Sequence, residues 1–546
     1  RKNERMEYQE QILAFQPHDE EEQAAKSKTA TYINQFGREL LLRKNKEVHL
    51  VSSALILNPT LDKVLMVRHH LYKAYTFVGG HTDGKQDLIA VAAKEIKEET
   101  GLSYFFCLDD NILSLDILPV KQHIRQGKNV PVHKHICVTY GFIAPENQPV
   151  AINEKENSAV EWIFVNELQE RCSEKHMLPI YQKVIERMKK IVKKRDRDLE
   201  ICEMVLPLLA WYDKHARILP WRENTEAYRV WVSEIMLQQT RVEAVKPYFD
   251  RFMSELPTLR SLAEADDEKL LKLWEGLGYY NRVRNLKKAA QMVMQEYNGE
   301  FPRQYHQLLK LSGIGTYTAG AICSISFGKP VPAVDGNVLR VLARVMCSYD
   351  EITDSKVKAQ RTQQLQEFYP VGRSGDFTQA LMELGAMVCV PNGSPKCKDC
   401  PLCFLCKAYQ THTQEELPIK TKKKARKKEK KTIVLLCCDG QTAIKKRNQT
   451  GLLSGMWEFP NVSGLLTQVQ LEQVLEQWQI KPKTIIQSMD KKHVFTHIEW
   501  EMSSYLVLCK EKNGDFLWVT KRQLEEEFAL PTAFKAFSKV LPLEIK

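Results

Sequence analysis

Four cysteines, Cys389, Cys397, Cys400 and Cys406, stand in a C-x7-C-x2-C-x5-C arrangement. Thiols at that density on one short loop are ligands for zinc or an iron–sulfur cluster, and the spacing by itself does not choose between them. Cys403 extends a Cys-x2-Cys ladder through the same loop and is read as a bystander. Far upstream, three carboxylates crowd one helical segment, LIAVAAKEIKEET. Glu95 and Glu99 are four apart and share a face, while Glu98 lies a three-residue step from Glu95. Such groups repel one another unless a cation sits between them, and their oxygens suit Mg²⁺ or Mn²⁺ bridging to a diphosphate. A solvated Glu/Lys helix is the plainer alternative. The glycines bounding the segment and the Phe77-Val-Gly-Gly ahead of it weigh against that.

A third constellation runs from Leu311 to Arg344. It opens Leu-Ser-Gly-Ile-Gly, where Gly313 and Gly315 allow a tight turn and close approach to another surface. Outward-facing N–H groups at a helix start cradle phosphate. Beyond a Gly-Lys-Pro-Val-Pro break comes Val334-Asp335-Gly336-Asn337, which holds a carboxylate near that backbone. The stretch resembles the hairpin and catalytic Asp of helix-hairpin-helix DNA glycosylases. LPWR at 219–222, VWVSEIMLQQTRVEAV, LWEGLGYYNRVRNLKKAA, FTQALMELGAMVC and the cysteine loop widen the likeness to MutY-type adenine DNA glycosylases over residues 201–410. The glutamate segment resembles a Nudix box, with Gln86 where its first Glu belongs and Lys94 in place of Arg.

The resemblance implies roles residue by residue. Asp335 would stabilise an oxocarbenium-like sugar, with Asn337 orienting sugar or water. Glu234, on an otherwise apolar helix, is by itself either a salt-bridged core residue or a desolvated acid; the family makes it the general acid that protonates adenine. Tyr317 stands where endonuclease III-type relatives carry a nucleophilic Lys, and a phenol forms no Schiff base, so a monofunctional enzyme is expected. Arg222 and Glu383 match positions that contact the flipped adenine, and Trp221 is placed to stack nearby. Gln239, with Thr240 beside it, and Tyr279, with Leu277, match wedge positions that fill the gap left by an extruded base. The cysteines would hold a [4Fe–4S] cluster. Phe495, Thr496 and His497 match a Phe-Ser-His loop that reads the base opposite adenine; a plain strand with Phe495 and His497 on one face is the alternative.

These residues need elements to hold them. The 546 residues suggest about three domains, and the net charge of +11 favours polyanionic partners. No apolar run is long enough to span a bilayer, and the charged N-terminal stretch lacks a signal core. Most of the fourteen cysteines are scattered singly, as free thiols in a reducing setting are. The expected layout is a helical extension over 1–45, an α/β Nudix hydrolase domain over 46–180, and a solvated basic helical connector over 181–200. An all-α helix-hairpin-helix glycosylase follows over 201–410, then a basic linker over 411–431 and an α/β Nudix-like lesion-recognition domain over 432–546, without the acidic helix. The function implied is removal of adenine mispaired with 8-oxoguanine or guanine in double-stranded DNA by a monomer in a bacterial-type cytoplasm, at the nucleoid. A metal-dependent hydrolase of a nucleotide substrate would be added. An endonuclease III-like glycosylase/lyase and an inactive mismatch-binding protein are the alternatives.

Overall fold

A computed structural model describes residues 7–542 except 71–72, 126–127, 196–198, 422–424 and 449–450. At its N-terminal end the strand Val48–Leu57 is buried along its whole length, as its nearly continuous apolar run VHLVSSALIL requires. It pairs in parallel with His133–Ile143, Val48 facing Lys134 through to Leu57 facing Ile143, and antiparallel with Lys63–His69 and Val78–His81. Eight strands join this sheet among the described residues. The helix Leu88–Thr100 packs on one face, where Val91, Ala92 and Ile96 are buried, and ends at Gly101 in a left-handed cap. Two helices, Tyr8–Ala14 and Glu20–Phe36, precede the sheet. They pack on the same domain, Tyr140 donating its hydroxyl to Gln11 at 2.7 Å.

The basic connector is not the solvated helix that its charge suggests. Leu178–Arg195 lays Tyr181, Val184, Ile185 and Met188 into a core shared with Leu55, Leu57 and Met66 of the sheet. That core runs on without interruption through Leu199, Ile201, Val205 and Leu208 into the helical domain. Lysines and arginines occupy the outer face and hid an apolar stripe of ordinary helical period. On the same side, Glu22 is fully buried and held by Arg187 at 2.5 Å and Lys183 at 3.0 Å, an ion cluster that joins the first helices to this one.

From Leu199 to Gln410 every regular element among the described residues is helical. A second core gathers Trp231, Phe249, Phe252, Trp274, Leu286 and Ile322. The last domain repeats the topology of the first: Lys427–Cys438 pairs in parallel with Ile498–Cys509, and Pro482–Val494 lies outside that. The basic linker is thereby shortened, because Lys427–Lys431 already belong to the central strand. Backbone pairing overrides side-chain charge there, since alternate lysines can point to solvent from a sheet. Residues 422–424 of the basic run lie outside the described residues. The domain docks on the glycosylase helices through Glu268, which accepts from Trp457 Nε1 at 2.9 Å and Lys446 at 2.5 Å, and through Arg284 and Ser454 at 3.1 Å.

Candidate active site and metal centres

The helix Ala227–Leu237 buries nearly every side chain it carries, Glu234 among them. Burial pushes the Glu234 carboxyl up to about 7 and the charge of Asp335 adds to the rise, against the opposing Tyr317 hydroxyl, which donates to Oε2 at 2.5 Å. Tyr317 itself is held far above the ordinary phenol range by burial and the two neighbouring carboxylates, so it remains a donor. Asp335 caps the helix Gly336–Val345, accepting from the N–H groups of Asn337 at 2.9 Å and Val338 at 2.8 Å. The Asn337 amide donates to its other oxygen at 2.8 Å, and Arg340 in turn holds the Asn337 oxygen at 2.9 Å. Burial still raises the Asp335 carboxyl, while those three donors support its ionised form. The pair combines an acid poised near neutrality with an anchored carboxylate, a division of labour suited to general acid catalysis beside a developing cation.

Beside them, Glu383 on Ser374–Met387 accepts two hydrogen bonds from Arg217 and one from Arg222, each at 2.8 Å. Burial raises its carboxyl, but the two guanidiniums outweigh that and keep it below the usual range. Nothing in the local sequence pattern of Arg217 separates it from a surface arginine. Trp221, expected to stack near the flipped base, is a core residue, 5% exposed, with its ring edge-on to Phe249 at 5.5 Å.

The expected wedge residues sit on two turns joined by one side chain. Gln239 and Tyr279 are both exposed, in left-handed backbone at φ 57° and 48°, and Leu277 is buried beneath. Thr240 is partly exposed next to Gln239, its hydroxyl 3.3 Å from the Gln238 carbonyl. Arg282 donates to the carbonyls of Ile235, Met236 and Gln238 on one side and of Leu277 and Gly278 on the other. Burial lowers its guanidinium to about 10. Sequence alone offers no signal for this residue, since its acceptors are all backbone. Gly313 turns at φ 74° with Asn285 so close that a Cβ would sit 2.7 Å from it, and Gly315 is exposed before Thr316–Ala321.

Phe495, Thr496 and His497 form the tip of the hairpin between Pro482–Val494 and Ile498–Cys509, rather than a strand with one shared face. The Phe495 ring packs between His493 at 4.5 Å and Trp500 at 4.8 Å, while Thr496 and His497 are exposed. The tip reaches the Tyr279 turn: the Thr496 and Tyr279 hydroxyls are 2.7 Å apart.

All five thiols of the loop, Cys389, Cys397, Cys400, Cys403 and Cys406, line one partly open space with Arg344, Leu402 and Tyr409. Arg344 reaches Cys389 Sγ at 3.2 Å and the Val390 carbonyl at 3.1 Å. Soft donors converging with a guanidinium beside them fit a thiolate-bound iron–sulfur cluster, whose net charge is negative. In the first domain, Glu95, Glu99 and Glu156 bring carboxylate oxygens within 4.8 Å of one another. Glu98 pairs with Lys94 at 2.6 Å, and Glu156, from a polar loop with no periodic signal, joins the group. Burial raises Glu99 to about 8 and Glu95 above its usual range. Gly80 permits this packing, because a Cβ there would meet the Glu95 carboxyl carbon at 2.3 Å. A hard divalent cation fits that donor set. Gln86 Oε1 is buried without a hydrogen-bond partner. No helix among the described residues is long and apolar enough to cross a membrane.

Comparison with known families agrees with this layout. Residues 232–367 match the HhH-GPD superfamily base excision DNA repair protein model, and residues 48–186 and 432–539 match two NUDIX domain models. The adenine DNA glycosylase of Rattus norvegicus is 37% identical over 55% of this chain and 69% of its own length. That of Schizosaccharomyces pombe is 31% identical over 63% of this chain and 91% of its own. A solved thermostable thymine-DNA glycosylase is 27% identical over 39% of this chain and 97% of its own, with a TM-score of 0.35. With the helical repair domain set between two NUDIX folds and relatives this similar, the chain belongs to the MutY-type adenine DNA glycosylase family.

Proposed function

We propose that the chain removes adenine from double-stranded DNA where it is mispaired with 8-oxoguanine, and more slowly with guanine. The observation that carries this reading is a buried Glu234 that accepts from the Tyr317 hydroxyl at 2.5 Å, its carboxyl raised to about 7 by burial and by the nearby Asp335 charge. Protonated Glu234 donates to a purine ring nitrogen and so improves the leaving base. Asp335, ionised against its three donors, stabilises the positive charge that develops on the sugar. Glu234, now a carboxylate, can accept a proton from the attacking water. Glu383, both of its oxygens held by Arg217 and Arg222, matches the family position that contacts the flipped base and would accept from it through a remaining lone pair. Tyr317 has no amine to trap the sugar, which favours this reading over an endonuclease III-like lyase. Single-turnover release of adenine from A:8-oxoguanine, A:G and A:T duplexes tests it; release of a pyrimidine with strand cleavage would replace it.

Cys389, Cys397, Cys400 and Cys406 would hold a [4Fe–4S] cluster, which supplies iron–thiolate bonds that pin the loop against Arg344. In the N-terminal domain, Glu95, Glu99 and Glu156, with Glu98 once it leaves Lys94, would hold Mg²⁺ or Mn²⁺, which polarises a nucleoside diphosphate and its attacking water.

A further inference from the structure

On the first sheet, four histidines gather on one face. His49 and His135 are directly opposite in the parallel pairing of Val48–Leu57 with His133–Ile143. His133 lies two residues before His135, and His81 pairs with Val51, two residues after His49. Side chains two apart on a strand share a face, so the register delivers all four imidazoles to one spot. The rings of His49 and those of His81, His133 and His135 are each 4.8 Å apart between centroids. One ring nitrogen from each of His49, His81 and His135 lies within 4.8 Å of the other two.

The ring orientations are set from behind. His49 Nδ1 is 3.1 Å from the Asn45 carbonyl oxygen, and His133 Nδ1 is 2.8 Å from that of Pro131. A carbonyl only accepts, so each Nδ1 carries the proton and each Nε2 presents a lone pair. Those Nε2 atoms face inward, that of His49 at 2.9 Å from His81 Nε2 and that of His133 at 3.1 Å from His135 Nε2. Backbone carbonyls that fix the outer nitrogen are the usual support of metal-bound histidines. Nitrogens around a tetrahedral zinc ion, with bonds of about 2.0–2.1 Å, stand about 3.3 Å from one another.

We propose that His49, His81 and His135, with His133 beside them, bind a borderline-soft divalent transition metal, zinc being the probe. The site is separate from the carboxylates. His81 follows Gly80, whose Cβ direction meets Glu95, and neighbouring strand positions point to opposite faces. Imidazoles and carboxylates therefore offer two ions of different hardness to the two faces of one strand.

The test is zinc-edge X-ray absorption with metal analysis on the iron-loaded full chain, equilibrated with zinc chloride and dialysed. Expected are about one zinc per chain and a first shell of nitrogen at about 2.0–2.1 Å with imidazole outer-shell scattering. His49→Ala with His135→Ala should lower retained zinc at least tenfold without changing iron content or adenine release, whereas Glu95→Gln should leave zinc in place. Should the double variant fail to fold, His81→Gln, at a partly exposed position, is expected to weaken zinc binding in the same assay. Zinc bound only to sulfur, zinc retained equally by the histidine variants, or no retained zinc would overturn the proposal and leave a hydrogen-bonded imidazole cluster.

Discussion

Glu234 and Asp335 carry the same functional group and differ only in surroundings. Glu234 has one neutral donor and a neighbouring negative charge; Asp335 has two backbone N–H groups and an amide. Excision should therefore fall as pH rises through about 7, where Glu234 loses its proton. Tyr317→Phe removes the hydrogen bond that favours the carboxylate, so this alkaline limb should move up by about one unit. A limb that stays put, measured under single turnover, would assign the titration to another group. The same shift has a stability consequence. Between the unfolded carboxyl value and about 7 the native state binds the extra proton, so Glu234's contribution is whole at low pH and is lost as pH rises through that window. Asp335→Asn keeps the cap geometry and loses the charge. It should cut excision at least ~100-fold while DNA binding holds within about threefold, read by binding and single-turnover assays on one preparation.

At the scale of elements, Arg282 ties the turn after Ala227–Leu237 to the turn carrying Tyr279. Arg282→Ala leaves five carbonyl contacts unmade and two left-handed residues unsupported. A loss of about 2–4 kcal/mol in unfolding free energy and weaker binding to mispaired DNA are expected, measured by denaturant titration and DNA titration. Lysine should not restore it, because an ammonium cannot reproduce the guanidinium fork. In the cysteine loop, Cys397→Ser or Cys400→Ser should lose iron colour along with DNA affinity, while Cys403→Ser keeps both. Iron analysis with visible absorption decides, and zinc in place of iron would defeat the assignment.

Across the whole molecule, the proposed reading of the lesion would rest on a contact between domains. Thr496 on the C-terminal hairpin meets Tyr279 on the glycosylase. Thr496→Val and Tyr279→Phe should show a coupling of about 0.5–1.5 kcal/mol in the preference for A:8-oxoguanine over A:G, measured as a double-mutant cycle. Phe495→Ala with His497→Ala should reduce that preference without abolishing excision. Equal loss on both duplexes would make the tip a folding support. At the other end, a single core spans Met66, Ile185 and Leu208, so a glycosylase lacking residues 1–198 exposes an apolar face and should unfold at markedly lower temperature than the full chain.

Local spacing was enough for some of this. The cysteine loop, the Glu95–Glu99 face, the turn at Gly313 and the carboxylate at Asp335 are all short-range patterns that residue type and step mark as candidate sites, while the choice of iron–sulfur over zinc and the role of Asp335 came from the family resemblance. The three-domain layout was legible locally too, since runs such as VHLVSSALIL and TIVLLCC state their burial directly. Arg217, Arg282 and Glu156 left no trace, because each acquires its role from partners distant in the chain or from backbone carbonyls that carry no side-chain signature. The buried face of Leu178–Arg195 was masked by its lysines, and the strand beginning at Lys427 by its charge. The histidine cluster needs strand register, which no residue spacing specifies: His49 and His135 are opposite only because a parallel crossover brings two separated strands edge to edge. Proximity that arises from folding, rather than from periodicity, was decided by the tertiary structure alone.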